Sequence, residues 1–231
     1  MSPTRPLLLA ILLLLGGAGA RAADTVQDGE WMSYRDAYRQ MIRFEKYGKP
    51  KQLIQQHLQV SPKDKSVTLE GVQLTLSGPA TQLNLPLDAA GRAVFPFLKS
   101  AFDDNARLVL NRKAGQFLML PRISIAPRAD GNYDIADLRG ACEQALEYQR
   151  HVGKPLQDRK CAGVRFSFAK NGAEPVVRPR GGGTAFPVED GGAFPDEAGS
   201  MFRTVTYRFT DGDKGTLTTQ GTPVAIVPEF R

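Results

Sequence analysis

The side chains with chemical potential are few: His57 and His151, Cys142 and Cys161, Arg178 and Arg180 ahead of Gly181-Gly182-Gly183, and the acidic turns Asp103-Asp104-Asn105 and Asp211-Gly212-Asp213-Lys214-Gly215. The two histidines stand more than ninety positions apart, and neither has a carboxylate or cysteine at ligand spacing, so surface or helix-cap roles are expected of them. Neither acidic turn has the twelve-residue spacing closing on Glu with which oxygen ligands wrap calcium, so both read as ordinary turns. Asp134, Asp137 and Glu143 follow the pattern of a helix start rather than that of a carboxylate pair. No nucleophile elbow, phosphate loop or zinc-protease helix is present in the sequence. Catalytic residues, metal ligands and a cofactor are therefore not expected.

Arg178 and Arg180 beside three glycines are the most unusual local composition. Guanidinium groups next to permissive backbone amides suit a phosphate or carboxylate, and a solvated loop is the plainer alternative. Phe186 lies in the same irregular segment. A second candidate surface is the aromatic series Trp31, Tyr34 and Tyr38, which serves either as the core face of an early helix or as a docking face for a partner. Aromatic residues do not interleave with basic ones as base stacking requires, so nucleic acid is not an expected partner.

The redox reading depends on the start of the chain. A basic start, the apolar run Leu7–Leu15 and small residues through Ala23 read as a secretory signal peptide over 1–22, with cleavage after Ala18-Gly19-Ala20 or Ala20-Arg21-Ala22. The apolar run is too short for a permanent span, and no cysteine follows it to carry a lipid, so no integral membrane segment is expected after cleavage. A periplasmic or secreted location follows. In an oxidising compartment Cys142 and Cys161, nineteen positions apart and without CxxC spacing, predict a structural disulfide, with free buried thiols as the alternative. Without Arg5 and Arg21 the 30 basic residues become 28 against 24 acidic ones, with no basic run of five, which is a solvated surface more than a polyanion site.

The elements that position these residues follow from apolar rhythm. Trp31, Tyr34, Tyr38, Met41 and Ile42 predict a helix over 31–47, stopped by Gly48-Lys49-Pro50, and Leu53, Ile54, His57 and Leu58 predict a second short helix. From Ser66 the period changes to two. Val67, Leu69, Val72, Leu74 and Leu76 read as one bulged strand or two short ones, and Leu83–Leu87 with Val94–Phe97 as a hairpin across Asp88-Ala89-Ala90-Gly91. Ala106–Asn111 and Phe117–Ile125 read as a second hairpin packed on the first, with Pro121 at a bulge or edge. Ile135, Leu138, Ala141, Cys142, Ala145 and Leu146 predict a helix over 135–150, capped by Asp134 or Asp137. Strands are expected at Val164–Phe168, Met201–Phe209, Leu217–Thr219 and Val224–Val227, with a short extended piece at Pro175–Pro179.

Leu83–Leu120, centred on Leu85-Pro86-Leu87-Asp88-Ala89-Ala90-Gly91-Arg92-Ala93-Val94-Phe95-Pro96-Phe97, resembles transthyretin-like and carboxypeptidase regulatory-like modules, where an acidic-glycine turn precedes an aromatic strand. The resemblance implies a small β-sandwich acting in folding, assembly or adhesion. In general layout the chain also resembles uncharacterised periplasmic proteins of Gram-negative bacteria. That likeness implies a location and no residue-level role.

The expected fold is α+β and β-rich: an antiparallel sandwich or strongly curved sheet with two or three packed helices, because hairpin-connected strands need an apolar layer over one face. About 208 residues after cleavage suffice for one domain with its own core, here 23–231 with a flexible loop insertion at about 178–198. The expected function is a non-catalytic envelope protein that binds a protein partner or envelope ligand. A hydrolase acting on cell-wall or peptide substrate and a small-ligand carrier with an apolar cavity are the alternatives.

Overall fold

The computed structural model describes residues 29–64, 66–197 and 201–231. The expected signal peptide lies outside the described residues, as does the last position of the expected loop insertion. β1 (Gly29–Ser33) leads into α1 (Tyr34–Glu45), then β2 (Ile54–Pro62), β3 (Leu74–Ser77), β4 (Gln82–Leu85), β5 (Arg92–Ala93), α2 (Lys99–Asp103), β6 (Arg107–Lys113) and β7 (Phe117–Ile125). The second half runs β8 (Asn132–Asp134), α3 (Ile135–His151), β9 (Cys161–Ala169), β10 (Val176–Pro179), β11 (Glu189–Gly191), β12 (Phe202–Arg208), β13 (Thr216–Gln220) and β14 (Ala225–Phe230).

The fold is α+β, with a curved antiparallel sheet and three helices. Seven strands form the main sheet in the order β11-β12-β9-β14-β7-β2-β5; β1-β6-β3-β4 form a second sheet and β10-β13-β8 a third. One core gathers Leu138, Ala141 and Ala145 of α3 with Val164, Phe166, Val205 and Ile226 of the main sheet. Another encloses Tyr34, Ala37 and Met41 of α1 between Leu58, Val60, Phe117 and Met119 of the main sheet and Leu74, Leu76, Leu108 and Leu110 of the second. Burial of each such side chain contributes roughly 1.5–3 kcal/mol, which is why alternating apolar residues decide which face turns inward.

α3 forms where its periodicity predicts. Asp134 caps it by accepting the Ala136 N–H at 3.1 Å. Cys142, near its middle, is disulfide-bonded to Cys161, the first residue of β9, with Cα atoms 5.9 Å apart. Helix and sheet are thereby stapled face to face.

Several expectations are corrected. The segment expected as a second short helix is β2: Ile54, Leu58 and Val60 alternate with Gln55, His57, Gln59 and Ser61, and pairing along its whole length with β7 outweighs the coincidental helical spacing of Leu53, Ile54, His57 and Leu58. The period therefore changes twelve residues earlier than Ser66. Trp31 lies in β1, opposite Val109 of β6, and the first helix starts at Tyr34, whose N–H is bound by the Ala106 carbonyl at 2.8 Å. Val67, Leu69 and Val72 precede the strand at Leu74 instead of forming one, because Gly71 turns the chain at φ +65°.

Neither expected hairpin forms. β4 pairs with β3, whereas β5 crosses to β2 in the main sheet. β6 and β7 are consecutive but belong to opposed sheets, so that Leu108 and Leu110 meet Phe117 and Met119 across a shared core instead of along a ladder. Pro121 sits opposite Leu58 in a part of β7 that pairs on the β2 side only, so the strand is locally an edge there.

Candidate functional site

The main sheet is apolar on the face toward α1 and α3, while its other face mixes polar side chains with a buried apolar patch around Ala225, Val227 and Phe202. Register places Ser124 opposite Gln55, Arg122 opposite His57 and Leu118 opposite Ser61, while Arg92 of β5 flanks Gln59. Since directly paired residues share a face, these side chains form one surface, which continues through Ala225 and Val227 of β14, Ser167 and Arg165 of β9, and Thr204 of β12. Arg165 Nε lies 2.8 Å from Glu229 Oε1, an ion pair on the same surface.

Arg92 organises its centre. The side chain is 5% exposed; Nε donates to Asp88 Oδ2 at 2.8 Å, Nη1 to Ser124 Oγ at 3.1 Å and Nη2 to the Val224 carbonyl at 2.5 Å. It crosses the place where β7 and β14 share a single residue pair, Ile125 with Ile226. A buried guanidinium here joins strands that the backbone ladder barely connects. Asp88 also accepts the N–H groups of Ala90 and Arg92, both at 2.9 Å. Gly91 completes that turn at φ +72°, where a Cβ would lie 2.4 Å from the Val60 carbonyl oxygen.

Residues 192–197 lie across this face as a strap. Phe194, 3% exposed, sits against Ala90, Phe202, Ala225 and Val227. Among the described residues, side chains make the polar ties between strap and floor. Arg122 Nη1 reaches Asp196 Oδ1 and Oδ2 at 2.8 and 2.7 Å, Gln59 Nε2 donates to Glu197 Oε1 at 2.6 Å, and Ser167 Oγ donates to the Ala193 carbonyl at 3.1 Å. Arg122 is held in turn by donating Nε to Gln59 Oε1 at 2.6 Å, and its guanidinium carbon lies 4.8 Å from the Phe194 ring centre. Beside the strap a cleft of about 50 Å³ opens between Ser61, Leu69, Ala90, Glu197 and Met201, room for a water or two.

His57 stands opposite Arg122, with a buried Nδ1 that has no hydrogen-bond partner. Burial, and then the positive charge of Arg92, hold its pKa below the usual histidine range, so it is neutral on this face at pH 7.

The residues singled out from the sequence lie elsewhere. Arg178 and Arg180 are exposed, and Gly181, Gly182 and Gly183 all have positive φ, while Phe186 turns back so that its ring meets Tyr207 at 5.3 Å. Trp31 is 53% exposed with the Arg107 guanidinium 5.0 Å from its ring centre. Tyr34 is fully buried, donating its hydroxyl to the Pro96 carbonyl at 2.5 Å, so it belongs to the core; Tyr38, half-buried, packs on Phe97 and Phe102. The structure brings Tyr34 and Tyr38 together in the core around α1, leaves Trp31 exposed on β1, packs Phe186 against the other core and leaves Arg178 and Arg180 exposed.

Gln59, Arg92, Arg122, Phe194, Asp196 and Glu197 escaped the sequence reading. The signal was present in Gln55-x-His57-x-Gln59-x-Ser61 and Arg122-x-Ser124, polar residues alternating with apolar ones, but it marks a polar sheet face only once both segments are known to be strands.

A scan against protein-family models, a search of curated proteins and a search of solved structures each find no match. Among the described residues no group of three or more His, Cys, Asp or Glu is arranged to hold a metal ion, and no helix is long and apolar enough to cross a membrane.

Proposed function

We propose that this chain is a non-catalytic protein of the cell envelope, exported by its N-terminal segment, that binds a protein partner through the polar face of the main sheet. The observation that carries the reading is the convergence of Gln59, Arg122 and Ser167 from three strands on the carboxylates and carbonyl of one irregular segment. A rigid floor presenting a few directed donors beside an apolar seat is the composition of a recognition surface. The nearby carboxylates Asp88, Asp196 and Glu197 each accept bonds from Arg92, Arg122 or Gln59, which suits binding better than proton transfer to a substrate. The small-ligand carrier fits less well, because Phe194 fills the apolar seat and the cleft beside it admits little more than water.

The test is a photo-cross-linking residue placed at Leu118, which is 46% exposed on the same face, in the exported protein within its own cells. A discrete protein adduct that is lost in R122A supports the reading. An equal adduct from R122A, or no adduct from Leu118 when the same probe at Arg178 gives one, overturns it.

A further inference from the structure

The strap has the chemistry of a bound peptide. Its six residues, Gly192-Ala193-Phe194-Pro195-Asp196-Glu197, place an aromatic ring in the seat of Ala90, Phe202, Ala225 and Val227 and two carboxylates on Arg122 and Gln59. The anchor is buried, but the charged contact is open: Asp196 is 64% exposed in its side chain while Arg122 is 16% exposed. An ion pair with one partner in water contributes about 1 kcal/mol or less, so this end of the strap is weakly held although both carboxylate oxygens lie within reach of Arg122 Nη1. The strap also closes on itself, Glu197 Oε2 accepting the Phe194 N–H at 3.1 Å, which removes a carboxylate oxygen from the floor. A separate segment of the same type, free of that internal bond, has both oxygens for Gln59 and Arg122. Without Arg5 and Arg21 the 28 basic residues exceed the 24 acidic ones by four, a sign of charge that an acidic segment complements.

We propose that the polar face takes an extended acidic peptide segment of its partner, with an aromatic residue two positions ahead of paired carboxylates, and that residues 192–197 occupy the site as an internal competitor. This rests on the assignment of that face as the binding surface. Binding then displaces the strap, and the apparent affinity is the intrinsic one multiplied by the fraction of molecules in which the face is open.

The probe is the capped peptide Gly-Ala-Phe-Pro-Asp-Glu, fluorescently labelled and titrated with the exported protein. Neutralising the strap's carboxylates in D196N/E197Q weakens its hold, raises the fraction of molecules with the face open and tightens peptide binding about tenfold over wild type. D196N alone, altered at a largely exposed side chain, gives a smaller gain in the same direction. Adding R122A to D196N/E197Q abolishes the gain, and a peptide ending in Asn-Gln does not bind. Equal affinity for wild type and D196N/E197Q, equal binding of the neutral peptide, or binding untouched by R122A overturns the proposal. If the peptide fails but Leu118 still gives an Arg122-dependent adduct, the partner chemistry is wrong and the binding face stands. If both fail, the face itself is wrong.

Discussion

Arg122 holds Asp196 through a single nitrogen, Nη1, at 2.8 and 2.7 Å from the two carboxylate oxygens, while the face of the same guanidinium covers the Phe194 ring at 4.8 Å. One side chain thus touches both the charged and the aromatic part of the strap, from a strand whose position is fixed by the ladder with β2. Loss of the carboxylate should loosen the strap without unfolding the sheet. In D196N global stability changes by about 1 kcal/mol or less, while the Phe194 amide exchanges faster with solvent deuterium. Unchanged exchange at Phe194 would show that the charge does not hold the strap.

Arg92 carries a larger structural burden. Its removal strands the Val224 carbonyl, leaves Ser124 with only the Gln55 amide and leaves Asp88 without its cation, so R92A is expected to cost about 3 kcal/mol in urea unfolding. D88N keeps the turn geometry and should cost less. Equal, small losses in both variants would mean that the seam between β7 and β14 needs no clamp.

The Cys142–Cys161 bridge closes a nineteen-residue separation between α3 and β9. Replacing both cysteines with serine should lower unfolding free energy by roughly 3 kcal/mol, measured under the same denaturant conditions. Far-ultraviolet circular dichroism should be retained, because the helix and the strand have their own hydrogen bonds and shared core.

His57 gives the pH dependence a direction. Its folded pKa is depressed, so above the ordinary histidine value, about 6.5, neither folded nor unfolded chain is protonated and the residue is neutral in effect. As pH falls below that value the unfolded chain takes the proton first, and stability declines until the folded pKa is passed. H57Q should flatten this part of a stability profile. Asp130, Glu147 and Asp213 are also shifted, downward by Arg128, Lys49 and Thr210 respectively, but their support is lost only in stronger acid, below the ordinary carboxylate range. An unaltered profile in H57Q would contradict the burial of the neutral ring.

α3 is legible in the sequence because Ile135, Leu138, Cys142, Ala145 and Leu146 keep helical spacing behind a capping aspartate, and the disulfide because two cysteines leave one pairing. β2 is less so: over Leu53–Leu58 the spacing satisfies either period, and only its partner β7 decides. Hairpin logic failed between β6 and β7 for a related reason. A short turn joins their strands, but Leu108, Leu110, Phe117 and Met119 are satisfied by facing one another across a core, a choice that local residues do not encode. The candidate site was hidden by the same non-local pairing, since Gln59, Arg92 and Arg122 are neighbours through strand register and through a strap more than sixty positions further along the chain.

The most direct measurement of the binding face is the nitrogen–proton resonance of each arginine Nε–H, followed by NMR as the capped peptide is added to D196N/E197Q, with R122K assigning the Arg122 signal. The account predicts a large shift at Arg122, whose Nε–H now points at Gln59, with Arg107, Arg178 and Arg180 unmoved. Shifts confined to Arg178 and Arg180, or to Arg107 beside Trp31, with Arg122 unchanged, would contradict it.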